Sequence, residues 1–189
     1  MLPMTTYHHG NLPEAVLRAA AESLEEQGVE GLSLREVARK AKVSHNAPYR
    51  HFPRREGLLA ALAAQGFDEL RRALEAAAGP RIVEAFVGFA LERPQRFRLM
   101  FGGRLPPETH PELRERWASA FAVVEKAFAH SGGDASIAAA AAWSLMNGLA
   151  QALLDGHFKL EQAAAGGPAP FAAAVAGAVR FAVKARRPA

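Results

Sequence analysis

An all-α fold is predicted by three features of this sequence. Half of its 189 residues are hydrophobic, with Ala and Leu abundant and few β-branched runs. Apolar residues recur at helical spacing through most of the chain, and Gly and Pro pairs punctuate it at intervals. Almost no strand is expected, and the length suffices to bury a substantial core. Cysteine is absent, which removes disulfides, thiolate metal sites and cysteine nucleophiles and fits a reducing cytoplasm. The first residues, MLPMTTYHHGN, have neither a basic n-region nor an apolar h-region, so they do not read as a signal peptide.

Leu12, Val16, Ala20 and Leu24 recur every four residues, with Leu17 and Ala21 widening the stripe, so residues 12–27 form an amphipathic helix ending at Gly28. Ser33 then precedes Leu34, Val37, Ala38 and Ala41, and Glu36 stands three residues after it. Hydroxyl and carboxylate can cap that helix reciprocally, and it runs to about Ala41. Val43 restarts the apolar pattern, and Ser44 is a good N-cap for a second short helix ending at Phe52. Pro48 has no N–H and is harmless only in a first turn, so this helix begins no earlier than Ser44. Helices so short bury too little to stand alone, so residues 12–27 must pack across them. The result is a three-helix domain with a helix-turn-helix, residues 1–53. Seven Lys/Arg face a single acid, Glu36, between Arg35 and Arg55, although the whole chain carries only +4. Such a cluster is often a solvated face; its coincidence with the helix-turn-helix places it where DNA phosphates would lie.

Val43-Ser-His-Asn-Ala-Pro-Tyr-Arg-His-Phe52, followed by Arg55, Glu56, Leu58 and Leu59, resembles the recognition-helix signature of the TetR family of bacterial transcriptional repressors. The likeness is close over about residues 8 to 62. It departs at Lys42, where the family often has glycine; a positive φ there would cost a few tenths to about 1 kcal/mol. Ser33 and Ser44, at helix starts that favour anions, suit phosphates, and the match to the family motif implies the same for Tyr49, His51 and Arg55. His45, Asn46 and Ala47 project from the front of the recognition helix and are the expected base readers. Asn pairs bidentately with adenine, and Ala meets a thymine methyl. Arg35 and Lys42 are further candidates. For Phe52 a core role is preferred; Tyr49 can pack its ring and still present its hydroxyl. The arm with Tyr7, His8, His9 and Gly10 offers adjacent histidines but no third ligand at defined spacing, so no metal is expected. Some branches of the family begin with a similar arm, which implies a place near the DNA backbone.

Pro53 interrupts the chain, and Arg54 or Arg55 opens a long helix reaching about Ala78, before Gly79-Pro80. It leads into a larger helical domain, residues 54–189, to which the family resemblance assigns ligand binding and dimerisation. Further helices are expected over 81–93, over 94–101 before Gly102-Gly103 and Pro106-Pro107, and from His110 or Pro111 to about His130, stopped by Gly132-Gly133. Asp134 and Asp155 bracket 20 uncharged residues, long enough to span a bilayer. About half of them are Ala or Gly, Ser136, Ser144, Asn147 and Gln151 interrupt the rest, and the flanks are aspartates, so a buried interface helix is expected and no membrane contact. Residues 165–170 read as a loop and 171–184 as a final small-residue helix. The family resemblance implies that 134–155 and 169–185 pair with a second subunit in a four-helix bundle, a homodimer. One branch carries a tryptophan-x-x-x-histidine-glycine motif there, matched by Trp143 to Gly148 except that Asn147 stands for histidine.

The family resemblance further implies a cytoplasmic repressor of double-stranded operator DNA, released when a small apolar ligand biases the tilt of the long helix. Phe67, Phe86, Phe89, Phe97, Met100, Phe101, Trp117, Phe121, Trp143 and Met146 are the apolar side chains available for its pocket, most of them core and a minority lining. Asn147, an amide in an apolar helix, needs either a ligand or an inter-subunit partner. No cofactor is expected. Catalysis is not expected either: there is no cysteine, no glycine-rich phosphate loop and no metallohydrolase spacing, and His110, His130 and His157 fall at helix edges. The competing reading is a helical small-molecule carrier, or an enzyme with a vestigial DNA-binding domain.

Overall fold

A computed structural model describes residues 12–77, 81–106, 108–129 and 134–185, with side chains described through Ala178. The arm containing Tyr7, His8, His9 and Gly10, the Gly79-Pro80 and Gly132-Gly133 breaks, Pro107 and His130 lie outside the described residues. Every regular element among the described residues is helical, and the chain divides into two compact units between Ala63 and Ala64.

In the first unit, α1 (Leu12–Gly31) buries Val16, Ala20 and Leu24 completely, each Val or Leu contributing about 1.5–3 kcal/mol. Its helical geometry breaks at Gly28, whose φ of 71° and ψ of 178° are open to glycine. Ser33 caps α2 (Leu34–Lys40), its Oγ accepting the Glu36 N–H at 3.2 Å. Only half of the reciprocal cap forms, because the Glu36 carboxylate turns instead to Arg39 Nη2 at 2.5 Å. The end of α2 is closed by two bonds, Lys42 N–H to Arg39 O and Val43 N–H to Ala38 O. This is a Schellman closure with Lys42 in its left-handed position at φ 56°.

The next segment departs from the expected α-helix over 44–52. Residues 45–47 form a turn and Pro48–Arg50 a single 3-10 turn. Pro48 has no N–H to give to the Ser44 carbonyl, and the Ala47 N–H takes it instead at 2.9 Å. Ser44 therefore does not act as the expected cap: Ala47 occupies that position and no side chain caps it. Next, α3 (Arg55–Ala76) begins; its first nine residues, with Leu58 and Leu62 fully buried, belong to the first unit.

The second unit contains the rest of α3, α4 (Ile82–Glu92), α5 (Pro94–Phe101), α6 (Pro111–Phe128), α7 (Ala135–Leu154), α8 (Lys159–Ala164) and α9 (Pro168–Ala185). Asp134 caps α7 through Oδ1, which accepts from Ser136 N–H at 2.9 Å and Ile137 N–H at 3.3 Å. The helix packs on α4 and α6. Among the described residues it alone is long and apolar enough to cross a bilayer, yet Ala139, Trp143, Met146 and Ala150 are buried within the unit. Two details correct the sequence reading. The short helix α8 was not foreseen, and α9 starts at Pro168 rather than Phe171, because prolines in a first turn give up no helical bond. Gly66 lets α5 approach α3: a Cβ there would collide with Met100 Sδ and crowd Arg96 Cδ at 3.0 Å.

Because Lys42 adopts a left-handed conformation that glycine enters freely, Lys42→Gly should stabilise the chain by a few tenths to about 1 kcal/mol. Chemical denaturation of the two proteins checks this, with the midpoint rising and the slope unchanged.

Candidate nucleic-acid interface

The 3-10 turn and the turn before it sort the expected DNA-contact residues by exposure. Ser44, His45, Asn46, Arg50 and His51 are exposed, and Tyr49 is 45 % exposed. Pro48 is buried and Ala47 is only 8 % exposed, so the Ala47 methyl offers little surface to a base edge and supports the turn from within. A cleft of about 350 Å³ gathers Ser33, Arg35 and His45 with Arg39 and Val43. Ser33 retains exposure there while its Oγ serves the α2 cap.

The basic cluster is thinner in space than in sequence. Arg39 is paired with Glu36, which holds the Glu36 carboxyl below its usual range and raises the guanidinium. Lys40 sits between Glu26 at 2.7 Å and Glu22 at 3.4 Å, chiefly the hydrogen bond to Glu26 raising its pKa. Arg55 is half-buried and donates from Nε to Leu32 O at 2.8 Å and from Nη2 to Val29 O. Among the described residues no salt bridge engages Arg35, Lys42, Arg50 or Arg54, all exposed. Arg50 and Arg54 were not among the expected contacts; their position either side of His51 in the basic run was the available signal.

In the second unit the expected pocket residues mostly fill space with one another. Phe86 meets Phe97 and Trp143 at 5.9 and 5.3 Å, Phe67 meets Phe101 at 5.5 Å, and Trp117 stacks on Phe121 at 5.2 Å. Trp143 touches both Trp117 and Phe121. Met146 is fully buried and Met100 packs against the same core. Phe89 differs, lining a groove of about 620 Å³ between α3 and α4 with Glu69, Arg72 and Arg93. Arg96, 4 % exposed, donates from Nη1 to Glu69 Oε1 at 2.8 Å, while Arg93 Nε lies 3.1 Å from Oε2. Arg116 pairs with Asp68, which raises the guanidinium. Among the described residues, Asn147 Oδ1 and Ser23 Oγ are buried and receive no hydrogen bond from the protein.

A helix-turn-helix with an exposed, positively charged reading turn, followed by a larger helical body, defines a DNA-binding transcriptional regulator. Residues 16–62 match the family described as bacterial regulatory proteins, tetR family, and residues 80–177 match the tetracyclin repressor-like C-terminal domain. The chain belongs to the TetR family of transcriptional regulators. It is similar to a protein of unknown function from Rhodococcus sp. RHA1, with 32% identity, 93% of this chain and 96% of that one covered, and a TM-score of 0.76. The fold is shared with the TetR family regulator PfmR from Thermus thermophilus, at 24% identity, 86% and 94% coverage and TM-score 0.58. It is also shared with FadR from Bacillus subtilis in complex with stearoyl-CoA, at 13% identity, 88% and 95% coverage and TM-score 0.60. No curated protein matches the sequence.

Removing an exposed, unpaired charge should act on DNA binding through counterion release. Arg50→Ala and Arg54→Ala should each flatten the slope of log K against log salt by about 0.9 for every phosphate no longer neutralised. Lys40→Ala, whose charge is already met by two glutamates, should leave it unchanged. Fluorescence anisotropy on a fixed duplex between about 50 and 200 mM salt measures all three.

Proposed function

We propose that this chain is a cytoplasmic, homodimeric repressor without catalytic activity, held on operator DNA by residues 33–54 and released by a small, mainly apolar effector. The observation that carries the DNA reading is the segregation on one turn of exposed His45, Asn46, Tyr49 and Arg50 from buried Ala47 and Pro48. His45 and Asn46 read bases; Ser33, Arg35, Lys42, Ser44, Tyr49, His51, Arg50 and Arg54 meet phosphates. Mobility shift with the DNA upstream of the chain's own coding sequence tests this, and a failure to retard it favours the carrier or enzyme alternative.

Dimerisation through α7 and α9 is supported by their outer faces. Ala140, Ala141, Ser144 and Gly148 on α7 and Ala174, Gly177 and Ala178 on α9 are exposed. A Cβ at Gly148 or Gly177 would meet nothing within 4 Å. Glycine in a helix interior costs about 1 kcal/mol, and none of the described residues calls for it at either position; a closely approaching partner helix does.

Asn147 supports the nature of the effector. The residue is half-buried and its Oδ1 is out of solvent and without a donor among the described residues, so it calls for a donor from outside the chain. An effector with an apolar body and one hydrogen-bond donor fits. A fold neighbour bound to stearoyl-CoA is in keeping with an apolar effector.

Asn46→Ala should relax preference at one operator position and weaken binding there by about 1–3 kcal/mol; selection from a randomised duplex pool reads this. Ala140→Glu should convert dimer to monomer or insoluble protein in sedimentation, whereas a monomeric wild type would refute the bundle. Asn147→Leu should keep operator binding and lose effector binding. In the wild type, calorimetry with and without operator should show effector affinity lowered by the factor, about 5–150, by which effector lowers operator affinity.

A further inference from the structure

We propose that Arg55 is a positioning residue of the DNA-reading unit, a clasp that sets the reading turn by joining the two ends of the helix-turn-helix, rather than a phosphate contact. The inference rests on the assignment of the turn around His45 and Asn46 as the part that reads DNA.

Two buried carbonyls define the need. After the break at Gly28, Val29 is 7 % and Leu32 is 1 % exposed. Leu32 lies between two helices, and the Val29 carbonyl otherwise receives a long 3.4 Å bond from the Leu32 N–H. Buried carbonyls without good donors are strongly disfavoured. Arg55 supplies both, Nε to Leu32 O at 2.8 Å and Nη2 to Val29 O. A planar guanidinium presents two N–H groups in a fixed fork; a lysine ammonium, a point charge on a flexible stem, does not.

Sequence position gives the clasp its consequence. Leu32 immediately precedes the Ser33 cap of α2, and Arg55 is the first residue of α3. The bond between them therefore encloses α2, the left-handed turn at Lys42 and the whole reading turn. The turn has only short-range backbone bonds and packs inward through Ala47 and Pro48, so its attitude depends on how its two flanks are held as well as on that packing. Arg55 holds them.

Arg55→Lys and Arg55→Gln in the full chain test this, with binding to a fixed 30-base-pair duplex of arbitrary sequence followed by anisotropy across a salt series. Measurements are made well below the melting transition, where simple destabilisation leaves affinity untouched. A clasp predicts that both variants lose affinity to a similar degree at every salt concentration, that lysine does not rescue, and that the salt slope stays at the wild-type value. Full rescue by lysine, with a slope flatter by about 0.9 per protomer in the glutamine variant, would make Arg55 a phosphate contact and overturn the proposal. Amide hydrogen exchange supplies a second arm that needs no DNA: exchange across residues 32–52 should accelerate about tenfold in Arg55→Gln, with 12–27 and 111–128 unchanged. Unchanged protection at 32–52 overturns the clasp. A wild type that binds no duplex at low salt would instead refute the DNA reading and leave the exchange result to decide the clasp.

Discussion

The carbonyl groups at helix ends are the constraint on which this structure depends. A chain built almost wholly of helices must stop repeatedly, and each stop leaves oxygens with no later N–H to receive. Three stops use one solution. At α2, α7 and α8 the residue after the cap turns left-handed, Lys42, Gly156 and Gly166, and paired bonds run back to the last helical turn. At the break at Gly28 a side chain from 26 residues away reaches Val29 O. Where the reading turn lies depends on how these few oxygens are satisfied.

Charge follows the same economy of partners. The basic run from Arg35 to Arg55 contains one acid in sequence, but Glu22 and Glu26 on α1 come alongside Lys40 when α1 packs on α2. Folding thus removes part of the positive field before any DNA arrives and leaves the remainder on the exposed side chains around the turn. In the body, charges are paired: Glu69 receives both Arg93 and the buried Arg96, and Asp68 receives Arg116. A buried guanidinium such as Arg96 is tolerated only while its carboxylate stays in place, so α3 is tied to α5 and α6 by polar pairs as well as by packing.

Much of this was legible in the sequence because it is local. The stripe from Leu12 to Leu24, the Ser33 cap, the break at Gly28 and the hazard at Lys42 each depend on residues a turn or less apart. Pro48 was legible in part: its missing N–H was recognised, but the sequence could not show that Ser44 O would accept from Ala47 and tighten the helix to a 3-10 turn. The short α8 escaped because residues 159–164 bury nothing and so show no stripe. The two carbonyl bonds of Arg55 escaped because its partners are 23 and 26 residues away and are backbone atoms, invisible to any pattern of side chains. The aromatic side chains are visible in the sequence as a pool, yet whether a ring fills or lines a cavity depends on its neighbours' shapes, and most of these rings pack on one another.

Along the described parts of α7 and α9 the exposed positions are mostly Ala, Ser and Gly, with Ile137, Pro168 and Pro170 near the helix starts. Alanine and glycine have no rotamers to freeze, so whatever covers these faces orders almost no side chains in doing so. Arg, Lys or Met at the same positions would each surrender about 1.5–2 kcal/mol of rotational freedom on burial. These faces offer modest apolar area in return for almost no configurational loss, so selectivity for their occupant resides in backbone shape, and a single added methylene is felt as a gap that holds the helices apart.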